Sequence, residues 1–158
     1  MTDAYNLHRF LDTQEGVYDT VLLELRAGRK SSHWIWFIFP QITGLGYSTM
    51  AKQFAITSLD DAKAYLQHLV LGPRLQECTQ LVLNVEGRRA DEIFGYPDNL
   101  KFRSCMTLFM SATIDNNLFK NALLKYFDGK PDQLTLDILA QQSLAGGRNC
   151  HTSAGTEE

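Results

Sequence analysis

The chain has 158 residues, 44% of them hydrophobic and 21% charged, with a net charge of −3. A chain of that size suits one domain burying about 68–70% of its unfolded surface, and the composition excludes both a disordered chain and a membrane protein. The acidic balance also argues against a nucleic acid duplex as partner, because phosphates call for a basic stripe. Arg26-Ala27-Gly28-Arg29-Lys30 and Gly87-Arg88-Arg89 are long enough to hold one small anion and no more.

The spacing of apolar residues predicts a helix from Tyr5 to Ala27, broken near Gly16, with Gly28 closing it as the residue after the cap. The densest stretch follows. Lys30-Ser31-Ser32-His33-Trp34-Ile35-Trp36-Phe37-Ile38-Phe39-Pro40-Gln41 carries both tryptophans of the protein. So apolar a run must be buried, yet Lys30, His33, the indole N–H groups and Gln41 then each need a partner. The stretch is the centre of the core, the wall of a pocket, or both. Periodicity cannot separate helix from strand here, but its neighbours favour a short helix capped by Ser31 or Ser32 and stopped by Pro40.

Gly44-Leu45-Gly46-Tyr47-Ser48 reads as a loop, a tight turn being a simpler account than a backbone shaped to a ligand. Ser48 starts a short helix through Ala55. Ser58-Leu59-Asp60-Asp61 resembles a capping box opening a helix to about Leu69. Gly72-Pro73 marks a break before a helix with the stripe Leu71, Leu75, Cys78, Val82 and Val85, ended by Gly87. Ala90 to Phe94 makes one turn, Pro97-Asp98 begins a helix to about Thr113, Leu118 to Phe127 forms another, and a last one runs from about Asp132 to Gln142. The apolar-poor residues 143–158 are expected to form a flexible tail. The expected fold is therefore all-α: a single compact domain, residues 1–142, of short helices packed around a buried Trp-rich segment.

The longest apolar run, Trp34 to Pro40, is far too short to span a bilayer. Met1-Thr2-Asp3-Ala4 does not resemble a secretory leader. Cys78, Cys105 and Cys150 are an odd number without CxxC spacing, which suits a reducing cytoplasm. Cys78 and Cys105 sit among core residues and read as small hydrophobes. His8, His33, His68 and His151 lack metal-ligand spacing, so neither a metal nor any other cofactor is expected.

Four features carry candidate chemistry. His33, an imidazole titrating near neutrality, and Asp98 are candidate proton carriers. Lys101, Ser104, Thr107 and Ser111 line one face of the helix after Pro97, either a solvated face or a place to hold an anion near a helix start. Arg74 sits in the first turn of its helix, where a cation calls for an acidic partner or an anionic ligand. Trp34 and Trp36 suit either core packing or stacking on a flat ring.

The run from Arg29 to Gln41 with Gly44-Leu45-Gly46 resembles the signature of the bacterial domain-of-unknown-function family 1810. So do Leu71-Gly72-Pro73-Arg74-Leu75, Ile93-Phe94-Gly95 and the run from Pro97 to Phe109. The resemblance reaches to about residue 140 and implies a mainly helical single domain. Cys105 departs from the pattern, which more usually has a second serine there. Family members often carry a calpastatin-like label, but calpain inhibition belongs to disordered repeats and this chain has neither repeats nor disorder-prone composition. A fainter likeness is to the YbiA-like group, which processes ADP-ribose or ribosylamine N-glycosides.

Two functions from different classes follow. In one, the chain binds or hydrolyses a small nucleotide-like anion of ADP-ribose or NAD type. Lys30, Arg74 and Lys101 would hold phosphates, with Trp34, Trp36, Gln41 and Ser104 completing the site and His33 or Asp98 moving protons. In the other, the chain is a non-enzymatic protein-interaction or regulatory module whose tryptophans are core. Convergence of Lys30, His33, Arg74 and Lys101 on one concave pocket separates the two.

Overall fold

The computed structural model describes residues 3–153, with side chains through residue 145. Among the described residues ten helices follow one another: α1 (His8–Glu15), α2 (Tyr18–Arg26), α3 (Ile35–Ile38), α4 (Thr49–Gln53), α5 (Leu59–Gln67), α6 (Leu71–Asn84), α7 (Ala90–Phe94), α8 (Asp98–Ala112), α9 (Asn117–Phe127) and α10 (Gln133–Ser153). Among the described residues the only extended pairing is a parallel bridge between Ile42 and Ile56. The all-α expectation holds. No described helix is long and apolar enough to cross a membrane.

Most helix boundaries follow local chemistry. Gly28 takes φ +73° after α2, its N–H donating to the Leu25 carbonyl while the Arg29 N–H returns to Glu24, both at 3.0 Å. This is the glycine-terminated close expected there. Ser48 and Ser58 accept from the N–H groups of Ala51 and Asp61, capping α4 and α5. The capping box of α5 is not reciprocal, however. Asp61 turns to the Thr57 N–H and hydroxyl, at 2.8 and 3.0 Å.

Three boundaries differ from expectation. α3 has Trp34, not a serine, at its N-cap, because the serines are engaged by Glu24 instead. α6 begins at Leu71, so Gly72-Pro73 lies inside its first turn, where helical N–H groups lack intrahelical acceptors and proline loses nothing. Gly72 is required for space. A Cβ there would lie 2.1 Å from the Leu66 carbonyl oxygen, at the junction of α5 and α6. α10 continues through Ser153, past the expected end at Gln142; residues 154–158 of the expected tail lie outside the described residues.

α8 touches α3, α5, α7, α9 and α10 and is buried nearly all round, Phe102, Cys105, Met106, Leu108 and Phe109 being inaccessible. Its hydroxyl stripe is internal at Ser104 and Thr107 and half-buried at Ser111. Ser104, Thr107 and Ser111 donate to the carbonyls four residues earlier, and the Thr107 oxygen accepts the Asp132 N–H at 2.8 Å, seating the start of α10. The Trp-rich segment packs against this helix through Phe39, whose ring lies 4.9 Å from Phe102 and 6.2 Å from Trp34, centroid to centroid. Cys78 and Cys105 are buried and free. Burial pushes the Cys78 thiol up to about 12 and the Cys105 thiol well above its ordinary value, and both pack as hydrophobes.

Gly72→Ala is expected to destabilise the fold by about 1–3 kcal/mol or more, since α6 must move off the Leu66 carbonyl. Urea denaturation measures it; an unchanged midpoint contradicts the close approach of α5 and α6.

Candidate functional site

The segment between α2 and α3 is held by one carboxylate. Glu24 Oε1 accepts from the N–H groups of Ser31 and Ser32, at 2.8 and 3.0 Å, and from the Trp34 indole at 2.8 Å. Its Oε2 accepts the Ser32 hydroxyl at 2.5 Å. Burial alone would raise the Glu24 pKa, but these bonds outweigh it and hold the group at about 2. Trp34 is thereby fixed inward, 1% exposed.

The same segment delivers Lys30. Its N–H donates to the Ile93 carbonyl at 2.7 Å, tying it to α7. Its Nζ lies 2.7 Å from Asp98 Oδ2 with the side chain only 6% exposed, and 5.2 Å from the Trp34 ring centroid. Lys101, one turn into α8, reaches the other oxygen of Asp98 at 3.3 Å and sits 5.8 Å from the Trp36 ring centroid. Two ammonium groups thus share one carboxylate, and with the Glu24 carboxylate on the Trp34 indole the charges around the tryptophans balance.

Trp36 is half-buried. It lines a cavity of about 400 Å³ together with Gln41, Thr43, Gly46, Tyr47 and Lys52. Tyr47 is 84% exposed, so this wall is an aromatic left open to solvent. Gly46 keeps the loop tight against α4, since a Cβ there would meet the Ala51 Cβ at 2.6 Å.

The structure therefore brings Lys30, Trp34, Trp36, Asp98 and Lys101 into one connected group, with Gln41 lining the same cavity as Trp36. It leaves three expected site residues apart. Arg74 is engaged by Glu15 at 3.0 Å and Gln14 at 3.2 Å and stacks 4.6 Å from the Tyr18 ring centroid; its call for an acidic partner is answered within the fold, between α1, α2 and α6. Ser104 is buried and its hydroxyl donates to the Leu100 carbonyl. His33 is exposed and, among the described residues, makes no side-chain hydrogen bond or ion pair. The expected convergence of four groups reduces to the two lysines. Asp98, expected to move protons, has both oxygens held by lysines and serves to fix charge.

Sequence reasoning passed over Glu24, Tyr47 and Lys52. Glu24 lies in an ordinary amphipathic helix and gives no signal. Tyr47 has one, an aromatic beside the paired glycines of a loop, whereas Lys52 sits in a short helix and gives none.

Glu24→Gln keeps one acceptor but sets an amide N–H₂ against donors, at an expected cost of about 1–3 kcal/mol at pH 7. The wild-type carboxylate is depressed, so its contribution is full above pH 4.5 and is lost as pH falls towards about 2. The gap between variant and wild type should therefore close over that window, as denaturation at several pH values will show; a gap independent of pH contradicts the role assigned to Glu24.

Among curated proteins, none matches the chain. The conserved hypothetical protein Rv1873 from Mycobacterium tuberculosis, known from a crystal structure, is 54% identical to it, over 87% of this chain and 99% of that one, with a TM-score of 0.87. Residues 4–139 match the family model described as a protein of unknown function, DUF1810. The chain belongs to that family, DUF1810.

Proposed function

We propose that this protein binds a small nucleotide-like anion, of the ADP-ribose or NAD type, in the cavity beside Trp36. The observation that carries the reading is the state of that indole. Trp34, two residues earlier, is sealed into the core and bonded to Glu24, whereas Trp36 stays half-buried on a cavity wall with Lys101 beside it. An aromatic face open to a cavity, with Tyr47 on the rim, suits stacking on a planar ring. Gln41 and Thr43 offer hydrogen-bonding groups to fix its orientation, and the volume lies within the usual range for small-molecule sites.

The arrangement favours binding over hydrolysis. A general acid or base must reach the ligand, and Asp98 is held by two lysines while His33 is exposed and, among the described residues, unpartnered.

A ligand present at about 100 times its Kd stabilises a fold by about 2.7 kcal/mol, so ATP, NAD and ADP-ribose are to be compared by thermal shift. Trp36→Leu keeps an apolar side chain but removes the stacking face, which is worth about 1–3 kcal/mol per base. The variant is expected to stay folded with affinity lowered about 5–150-fold. Absence of any shift in the wild-type protein overturns the reading, as does full affinity in the variant.

A further inference from the structure

The cavity beside Trp36 is not isolated. A second cavity, of about 560 Å³, lies against it, and Thr43, Lys52 and Ala55 line both. Residues common to both linings make the two volumes neighbours, with Trp36 and Tyr47 on the walls of one, the aromatic end, and Arg9 on the wall of the other, the basic end. Arg9 and Asn6 line the far end.

The two cations of that end differ in what they can do. Arg9 is built into the walls. Its guanidinium donates to the carbonyls of Tyr5 and Asn6 on one side, at 2.7 and 2.6 Å, and of Gln53 and Ala55 on the other, both at 2.8 Å. It pins the segment before α1 to the segment after α4 and so shapes the second cavity. Asp61 and Asp3 act on it electrostatically and offset part of its charge. Lys52 is exposed and, among the described residues, forms no ion pair. It stands where the two cavities meet, on the last turn of α4.

We propose that Lys52 is the phosphate-binding residue of these two cavities, so that the ligand is a nucleoside diphosphate whose ring lies at Trp36 and whose phosphates extend past Lys52 towards Arg9. The inference rests on the reading of the Trp36 cavity given above and adds the residue that takes the phosphates and the direction in which they run. A nucleoside alone would fill the aromatic end and leave the basic end empty. Phosphate oxygens at Lys52 would gain a charge-assisted contact with an ammonium that has no other partner.

Adenosine, ADP and ADP-ribose are the probes, titrated calorimetrically into the full chain and into Lys52→Gln. Arg9 is left intact because its four carbonyl bonds hold the walls. Wild-type protein is expected to bind ADP and ADP-ribose about tenfold or more tightly than adenosine, with the advantage shrinking as salt is raised. In Lys52→Gln the advantage of ADP and ADP-ribose over adenosine should be lost, so that the three bind about equally. An advantage that survives in Lys52→Gln overturns the role of Lys52 while leaving the Trp36 cavity as a binding site. Equal binding of adenosine and ADP by the wild type overturns the assignment of ligand class. Failure of all three probes to bind overturns both this inference and the reading on which it rests.

Discussion

The pairing of Lys30 with Asp98 is the constraint on which the arrangement around the tryptophans depends. An ammonium group whose side chain is 6% exposed cannot be left without a counter-charge, because the effective penalty of burying an ion is several kcal/mol. Asp98 supplies that charge from the first residue of α8, where the helix dipole also favours a carboxylate. The pair therefore fixes the segment after α2 against the start of the most deeply buried helix. Glu24 completes the attachment from the other side by collecting the amides of Ser31 and Ser32 and the Trp34 indole.

With the segment fixed at both points, the two tryptophans part at the start of α3, Trp34 being its non-helical N-cap and Trp36 lying within its single turn. Trp34 faces the core beneath Lys30, and Trp36 is turned towards the cavity. The same backbone thus assigns one indole to stability and leaves the other available to a ligand. Lys101 follows this division. It shares the Asp98 carboxylate with Lys30 yet stands by Trp36.

Much of the fold was legible because its signals are local. Gly16, Gly28, Gly95, Ser48 and Ser58 act through bonds within a few residues of themselves, and each marks a boundary where the structure has one. Gly72 was misread because its reason for being glycine is the Leu66 carbonyl of the preceding helix, a matter of packing. The hydroxyls of α8 suggested a polar face for a related reason. Serine and threonine can satisfy themselves on carbonyls one turn back, so a stripe of them is compatible with burial on every side. For the site, Lys30, Trp36, Gln41 and Lys101 could be named from the density of polar groups in apolar surroundings. Which cations share a neighbourhood could not be, since Arg74 meets Glu15 from 59 residues away in the chain.

The central claim is the division of labour between the two indoles, and it can be observed directly because the protein has just two tryptophans. Uniform nitrogen-15 labelling gives one indole N–H resonance for each, assigned with Trp36→Leu. Titration with ADP-ribose should move the Trp36 resonance progressively and leave the Trp34 resonance, bonded to Glu24, in place. A ligand that binds while leaving the Trp36 resonance unmoved, or that shifts Trp34 instead, would contradict the account.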